Sequence, residues 1–125
     1  MSTRCLIAHK LNDKEYESIY CHFDGGSYVK SVLNEHYTDQ EKVKELMSLG
    51  NISSLRPRLA PNEGENHSFE NRVEDIVVAY HRDRGEPYQG PKKHICKEEL
   101  LLDAGWVDCI HIFDEESKSW QTLRH

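Results

Sequence analysis

Cys5-Leu6-Ile7-Ala8-His9-Lys10-Leu11-Asn12-Asp13-Lys14-Glu15-Tyr16-Glu17-Ser18-Ile19-Tyr20-Cys21-His22-Phe23 is the stretch on which the fold turns. Leu6–Leu11 and Tyr16–Phe23 carry strand-type residues. The polar Asn12-Asp13-Lys14-Glu15 between them is turn-like, so the pair reads as a β-hairpin. In the first arm the alternation is loose. In the second, Ile19, Cys21 and Phe23 alternate with Tyr20 and His22, which sends one set to a core and the other to the opposite face.

Asp24-Gly25-Gly26 then breaks the strand, and Ser27 is placed to cap a helix. Val29, Val32, Leu33, His36 and Tyr37 follow the i, i+3, i+4, i+7, i+8 pattern of a helix with one buried stripe. A second helix is expected from the capping box Thr38-Asp39-Gln40-Glu41. It runs through Val43, Leu46 and Met47, and Gly50 is suited to a left-handed stop. Residues 56–72, with Pro57, Pro61 and Gly64, read as a long surface loop of the kind that carries function.

Ile76–Tyr80 is a short continuous apolar run bounded by charge, which predicts a central strand. Lys97–Ala104 predicts a short helix ended by Gly105. Val107–Phe113 and Lys118–Leu123 predict a closing hairpin around Asp114-Glu115-Glu116-Ser117. The expected order is ββααβαββ. It implies an α+β domain spanning residues 1–125, with an antiparallel or mixed sheet of about five strands and helices packed on one face.

The length, 125 residues, suits one domain. Sixteen basic against 22 acidic residues give a formal charge of −6, which argues against a non-specific binder of long nucleic acid. No stretch approaches the roughly 20 apolar residues that span a bilayer. The start, Met1-Ser2-Thr3-Arg4-Cys5, has no apolar signal segment, so a cytoplasmic location is expected. Cys5, Cys21, Cys96 and Cys109 lack C-x-x-C spacing and read as thiols, three of them on strands. The eight histidines show no metal-ligand spacing, and neither a metal nor a cofactor is expected.

Two polar signatures stand out. His22 and Asp24 lie two apart at a strand end followed by glycines, where a backbone approaches a ligand closely. With Phe23 between them they read as ligand contacts or an acid/base pair. The plainer alternative makes Asp24 a turn cap and His22 an exposed strand residue. The second signature is Tyr80-His81-Arg82-Asp83-Arg84-Gly85-Glu86. Arg82 and Arg84 offer planar forks to phosphate or carboxylate, and Asp83 could orient one of them; the alternative is a solvated turn with internal ion pairs. His36 and Tyr37 are site candidates or boundary residues of the first helix. Cys21 and His22 do not form a nucleophile–base pair, because neighbours on a strand point to opposite faces.

Taken in order, several segments resemble a family of small proteins encoded by bacteriophages and prophages. They are Met1–Ile7, Ile19–Gly25, Leu33–Tyr37, Leu49–Leu55, His67–Asn71 and Ala79–Glu86. The resemblance covers nearly the whole chain. Gly26-Ser27 stands where relatives often carry an aromatic and a proline, and His81 stands where glycine is common. The resemblance implies an accessory protein that counters host defence. One mechanism is a sponge for a nucleotide-derived immune signal, such as a cyclic ADP-ribose or a cyclic oligonucleotide. Arg82 and Arg84 would hold phosphate, Tyr20, Phe23 or Tyr80 would stack on a base, and His22, Asp24 and His36 would select by hydrogen bonds. A second is a protein-binding inhibitor of a defence effector, such as an anti-CRISPR. A third is an enzyme that cleaves the signal, with His22, Asp24 and His81 as acid/base groups. Assembly into a homo-oligomer also follows from the sponge reading.

Overall fold

The computed structural model describes residues 3–88 and 90–124. Met1, Ser2, Gln89 and His125, counted in the expected domain, lie outside the described residues. The elements are β1 (Cys5–Asn12), β2 (Glu15–Cys21), α1 (Ser27–His36), α2 (Gln40–Ser48), β3 (Ile52–Ser54) and β4 (Val78–Ala79). They continue with α3 (Tyr80–Arg84), β5 (Lys92–His94), α4 (Lys97–Asp103), β6 (Cys109–Asp114) and β7 (Ser119–Arg124). The chain is thus α+β, but with a seven-stranded sheet rather than about five strands. No helix among the described residues is long and apolar enough to cross a membrane.

The strands run β4-β3-β2-β1-β6-β7, and β5 also pairs with β2. The predicted hairpin forms the middle: β1 and β2 are antiparallel, with Cys5 opposite Cys21 and Ile7 opposite Ile19. β6 lies parallel to β1 on its other side, so the sheet is mixed. The loose alternation of β1 has a physical reason. Cys5, Leu6, Ile7, Ala8 and His9 are all buried, because the sheet is covered on both faces and a central strand then needs apolar residues throughout.

This corrects the expectation of helices on one face. Cys5, Ile7, Ile19 and Cys21 pack with Val29, Val32 and Leu33 of α1 and Val43, Leu46 and Met47 of α2. Leu6, Ala8, Ile110 and Ile112, on the opposite face, pack with Leu100 of α4 and with Ala104. The run 76–80 is corrected as well. Only Val78 and Ala79 form a strand, and β4 lies at the end of the sheet rather than at its centre. Ile76 and Val77 are buried as loop residues, and Tyr80 begins a five-residue helix instead of a turn. The observed order is therefore ββααββαβαββ.

Two caps differ from expectation. Gly26 caps α1 without a side-chain bond, and Ser27 is the first helical residue. At α2 the cap is Asp39, whose carboxylate accepts from the Glu41 amide at 3.1 Å. Gly50 takes the expected left-handed conformation, φ 75°.

Candidate functional site

β2 positions the site. Its outer edge is divided between two partners: β5 pairs with Tyr16–Ser18, and β3 meets only Cys21. Between them the Tyr20 amide donates to the Asn51 Oδ1 at 3.0 Å, so a side chain replaces a strand at that point. The cleft left there has a volume of about 220 Å³ and is lined by Tyr20, Asn51, Lys92, His94, Asp103 and Trp106 among others.

Aromatic rings line one side. Tyr20 and Trp106 stand 4.9 Å apart between ring centroids, tilted by 37°. The Tyr20 hydroxyl and the His22 Nδ1 are hydrogen-bonded at 2.5 Å, and Phe23 stands edge-on to the His22 ring at 4.5 Å. Trp106 is 55% exposed and Phe23 39%, so both ends of this run are open to a ligand. Burial raises the Tyr20 phenol above its ordinary value; Tyr80 nearby adds to the effect and Arg4 opposes it. The phenol therefore stays a neutral hydrogen-bonding group.

The two polar signatures approach each other here only in part. Cys21 pairs with Ile52, and Ile52 with Ala79, so His22 and Tyr80 follow the ends of strands separated by β3 alone. That is roughly 10 Å across the sheet. Tyr80 lines a neighbouring hollow of about 100 Å³ together with Asn51, which borders both cavities. Burial raises the Tyr80 phenol as well, against a hydrogen bond with Ser53.

Arg82 and Asp83 are engaged within the chain. Arg82 Nη2 donates to the Val77 carbonyl at 2.7 Å, Nη1 donates to the Leu59 carbonyl, and Nε donates to Asp83 Oδ1 at 3.0 Å. Asp83 Oδ2 accepts from the Ala79 amide at 2.7 Å, and the Asp83 side chain is 3% exposed. This pair ties the long loop to β4 and α3. Arg84 alone of the predicted arginines points outward; its guanidinium lies over the Phe69 ring and 3.6 Å from Glu86.

Asp24 is exposed and has φ 58°, a left-handed turn conformation that aspartate tolerates. His36 ends α1, exposed beside Glu35. Tyr37 is fully buried in the core on the α1 and α2 face, its hydroxyl donating to the Arg56 carbonyl at 2.7 Å. His36 and Tyr37 thus belong to the face opposite Tyr20 and His22.

The largest cavity described, about 590 Å³, lies elsewhere and borders Tyr28, Arg56, Arg72, Glu74 and Asp75. It is a poorer site than its size suggests. Arg56 donates to the Leu55 carbonyl and lies over Tyr28, Arg72 donates to the Phe69 carbonyl and lies over that ring, and two carboxylates share the lining.

Trp106, Asn51 and Lys92 escaped the sequence reading. An exposed-type Trp directly after the helix-ending Gly105 was the one available signal. No protein-family model matches the chain, and neither a curated protein nor a solved structure matches it.

Proposed function

We propose that the chain binds a small, ring-bearing anion of nucleotide type in the cleft beside Tyr20 and Trp106 and sequesters it without cleavage. The observation that carries this reading is the tilted Tyr20–Trp106 pair with Trp106 half exposed beside the cleft. Stacking of a base on an aromatic side chain contributes roughly 1–3 kcal/mol. Lys92 and Arg4 supply positive charge nearby, and Asn51 and His22 supply hydrogen bonds. The cleft is smaller than most pockets for drug-sized molecules, so a ligand projects beyond it toward Phe23 or Tyr80. The resemblance to phage-encoded proteins supplies the setting: removal of a nucleotide-derived immune signal.

The test is a panel of linear and cyclic nucleotides titrated against tryptophan fluorescence and by calorimetry, followed by heat denaturation. Uptake, with ligand released intact and binding weakened about tenfold or more in Trp106→Ala, supports sequestration. Released ligand that is chemically altered means an enzyme. Absence of uptake sinks the proposal and leaves a protein-binding inhibitor.

A further inference from the structure

β5 and α4 bring three ligating side chains together at the rim of the same cleft. His94, Glu99 and Asp103 each offer a donor atom, and the three atoms lie within 4.8 Å of one another. Glu99 and Asp103 are four apart on α4, so they share one face of the helix. His94 comes from β5, just ahead of that helix.

The His94 side chain is completely buried, and its Nε2 is hydrogen-bonded with the Ser18 hydroxyl at 2.8 Å. That bond fixes the ring and turns Nδ1 toward the carboxylates. Nδ1 lies 3.1 Å from Asp103 Oδ2, yet it makes no hydrogen bond, because the geometry is wrong for one. A buried polar nitrogen without a hydrogen bond is costly. An ion between nitrogen and carboxylate removes that cost, and two donors each about 2.1 Å from a shared ion stand close to this separation. The Ser18 contact has the form of an outer partner that orients a ligating histidine.

We propose that His94, Glu99 and Asp103 bind one divalent transition ion of the zinc type. An imidazole with two carboxylates is a nitrogen–oxygen set that suits such ions better than soft ones. Three protein ligands leave a coordination position for water or a ligand atom. Lys92 is the competing cation: its ammonium lies 3.4 Å from Asp103 Oδ2, on a side chain that is two-thirds exposed and free to swing away. The inference does not depend on the nucleotide proposal, since zinc alone is the probe.

Protein stripped with a chelator and dialysed is titrated with Zn²⁺ by calorimetry, with circular dichroism to establish that each variant is folded. One equivalent is expected to bind. Glu99→Gln and Asp103→Asn, which leave the buried histidine in place, are expected to weaken binding at least about tenfold. Lys92→Ala is expected to tighten it about two- to fivefold, the scale of one exposed ion pair. Cys96→Ser is expected to retain the site. No stoichiometric binding in the natural chain, unchanged affinity in the folded Asp103→Asn variant, or loss in Cys96→Ser would each overturn the proposal.

Discussion

Arg82 and Asp83, neighbours in sequence, close on each other through two hydrogen bonds, Nε to Oδ1 and Nη2 to Oδ2, both 3.0 Å. The guanidinium continues to the carbonyls of Leu59 and Val77, and the carboxylate accepts from the Ala79 amide. His67 completes the arrangement by donating from Nε2 to the Val77 carbonyl and accepting from the Val73 amide at Nδ1, both 3.0 Å.

Arg82→Ala therefore removes the guanidinium from a carboxylate that is almost fully buried and leaves it the Ala79 amide, with His67 Nε2 3.4 Å away. The expected cost is on the order of 3 kcal/mol in unfolding free energy by denaturant titration. The long loop is expected to become sensitive to protease first, since Arg82 holds it at Leu59. Arg84→Ala, whose side chain is half exposed, is expected to change stability by less than about 0.5 kcal/mol. Equal effects from the two substitutions would show that the clamp carries no weight.

The sequence made the central hairpin, α1, α2, α4 and the closing hairpin legible, because each has its own periodicity and its own turn residues. Ile52–Ser54 and Lys92–His94 were not legible as strands: three residues are too short to show alternation, and they exist because β2 offers them an edge. The second covered face was readable only weakly, from the unbroken apolar run of β1. The site divided in the same way. His22 shares the side of Tyr20, as alternation required, whereas Phe23, expected with Ile19 and Cys21 on the core side, follows the end of β2 and is exposed. Arg82 looked like an anion fork because its acceptors are backbone carbonyls, one just ahead of β4 at Val77 and one on the distant loop at Leu59, which sequence does not display.

Gly25 is a sharper test of the strand end than Asp24. A Cβ there would come within 2.8 Å of both the Cys5 Cβ and the Thr3 carbonyl oxygen. The same residue's carbonyl accepts from His111 Nε2 at 2.6 Å, and His111 Nδ1 in turn pairs with the Thr122 hydroxyl at 2.8 Å. Gly25→Ala is expected to lower stability by about 1–3 kcal/mol through overpacking against backbone. Asp24→Gly is expected to be neutral or stabilising, since φ is already positive there. Thermal unfolding of the two variants side by side measures the contrast.

Three of the four cysteines sit in register across the sheet: Cys5 faces Cys21 on one side and Cys109 on the other, all buried. Hydrogen bonding with Cys109 and Cys21, together with burial, pushes the Cys5 thiol far above the usual thiol range. The thiolate is the reactive form, so Cys5 is expected to resist alkylation in the native protein. Cys96 is partly exposed and is expected to supply the fast-reacting thiol. A chromogenic disulfide reagent should detect one thiol in native protein and four after denaturation. Fast modification of Cys5, located by peptide mapping, would contradict this burial.

His9 sets a dependence of stability on pH. Its side chain is buried against Phe113, ring centroids 5.7 Å apart, and neither ring nitrogen has a hydrogen-bond partner. Burial lowers its pKa from the ordinary 6.5; Glu115, with an oxygen 3.7 Å from Nε2, opposes that shift without reversing it. With the folded value depressed, the unfolded chain binds more protons below 6.5, so this residue's contribution falls as pH drops through 6.5 toward the folded value. One proton can supply at most roughly 1.4 kcal/mol per pH unit. Denaturant unfolding of the natural chain should therefore show lower stability near pH 5.5 than near pH 7.5. His9→Leu should flatten that slope, because it keeps the apolar contact with Phe113 and removes the titrating ring. A variant with the same slope as the natural chain would assign the acid sensitivity to other groups.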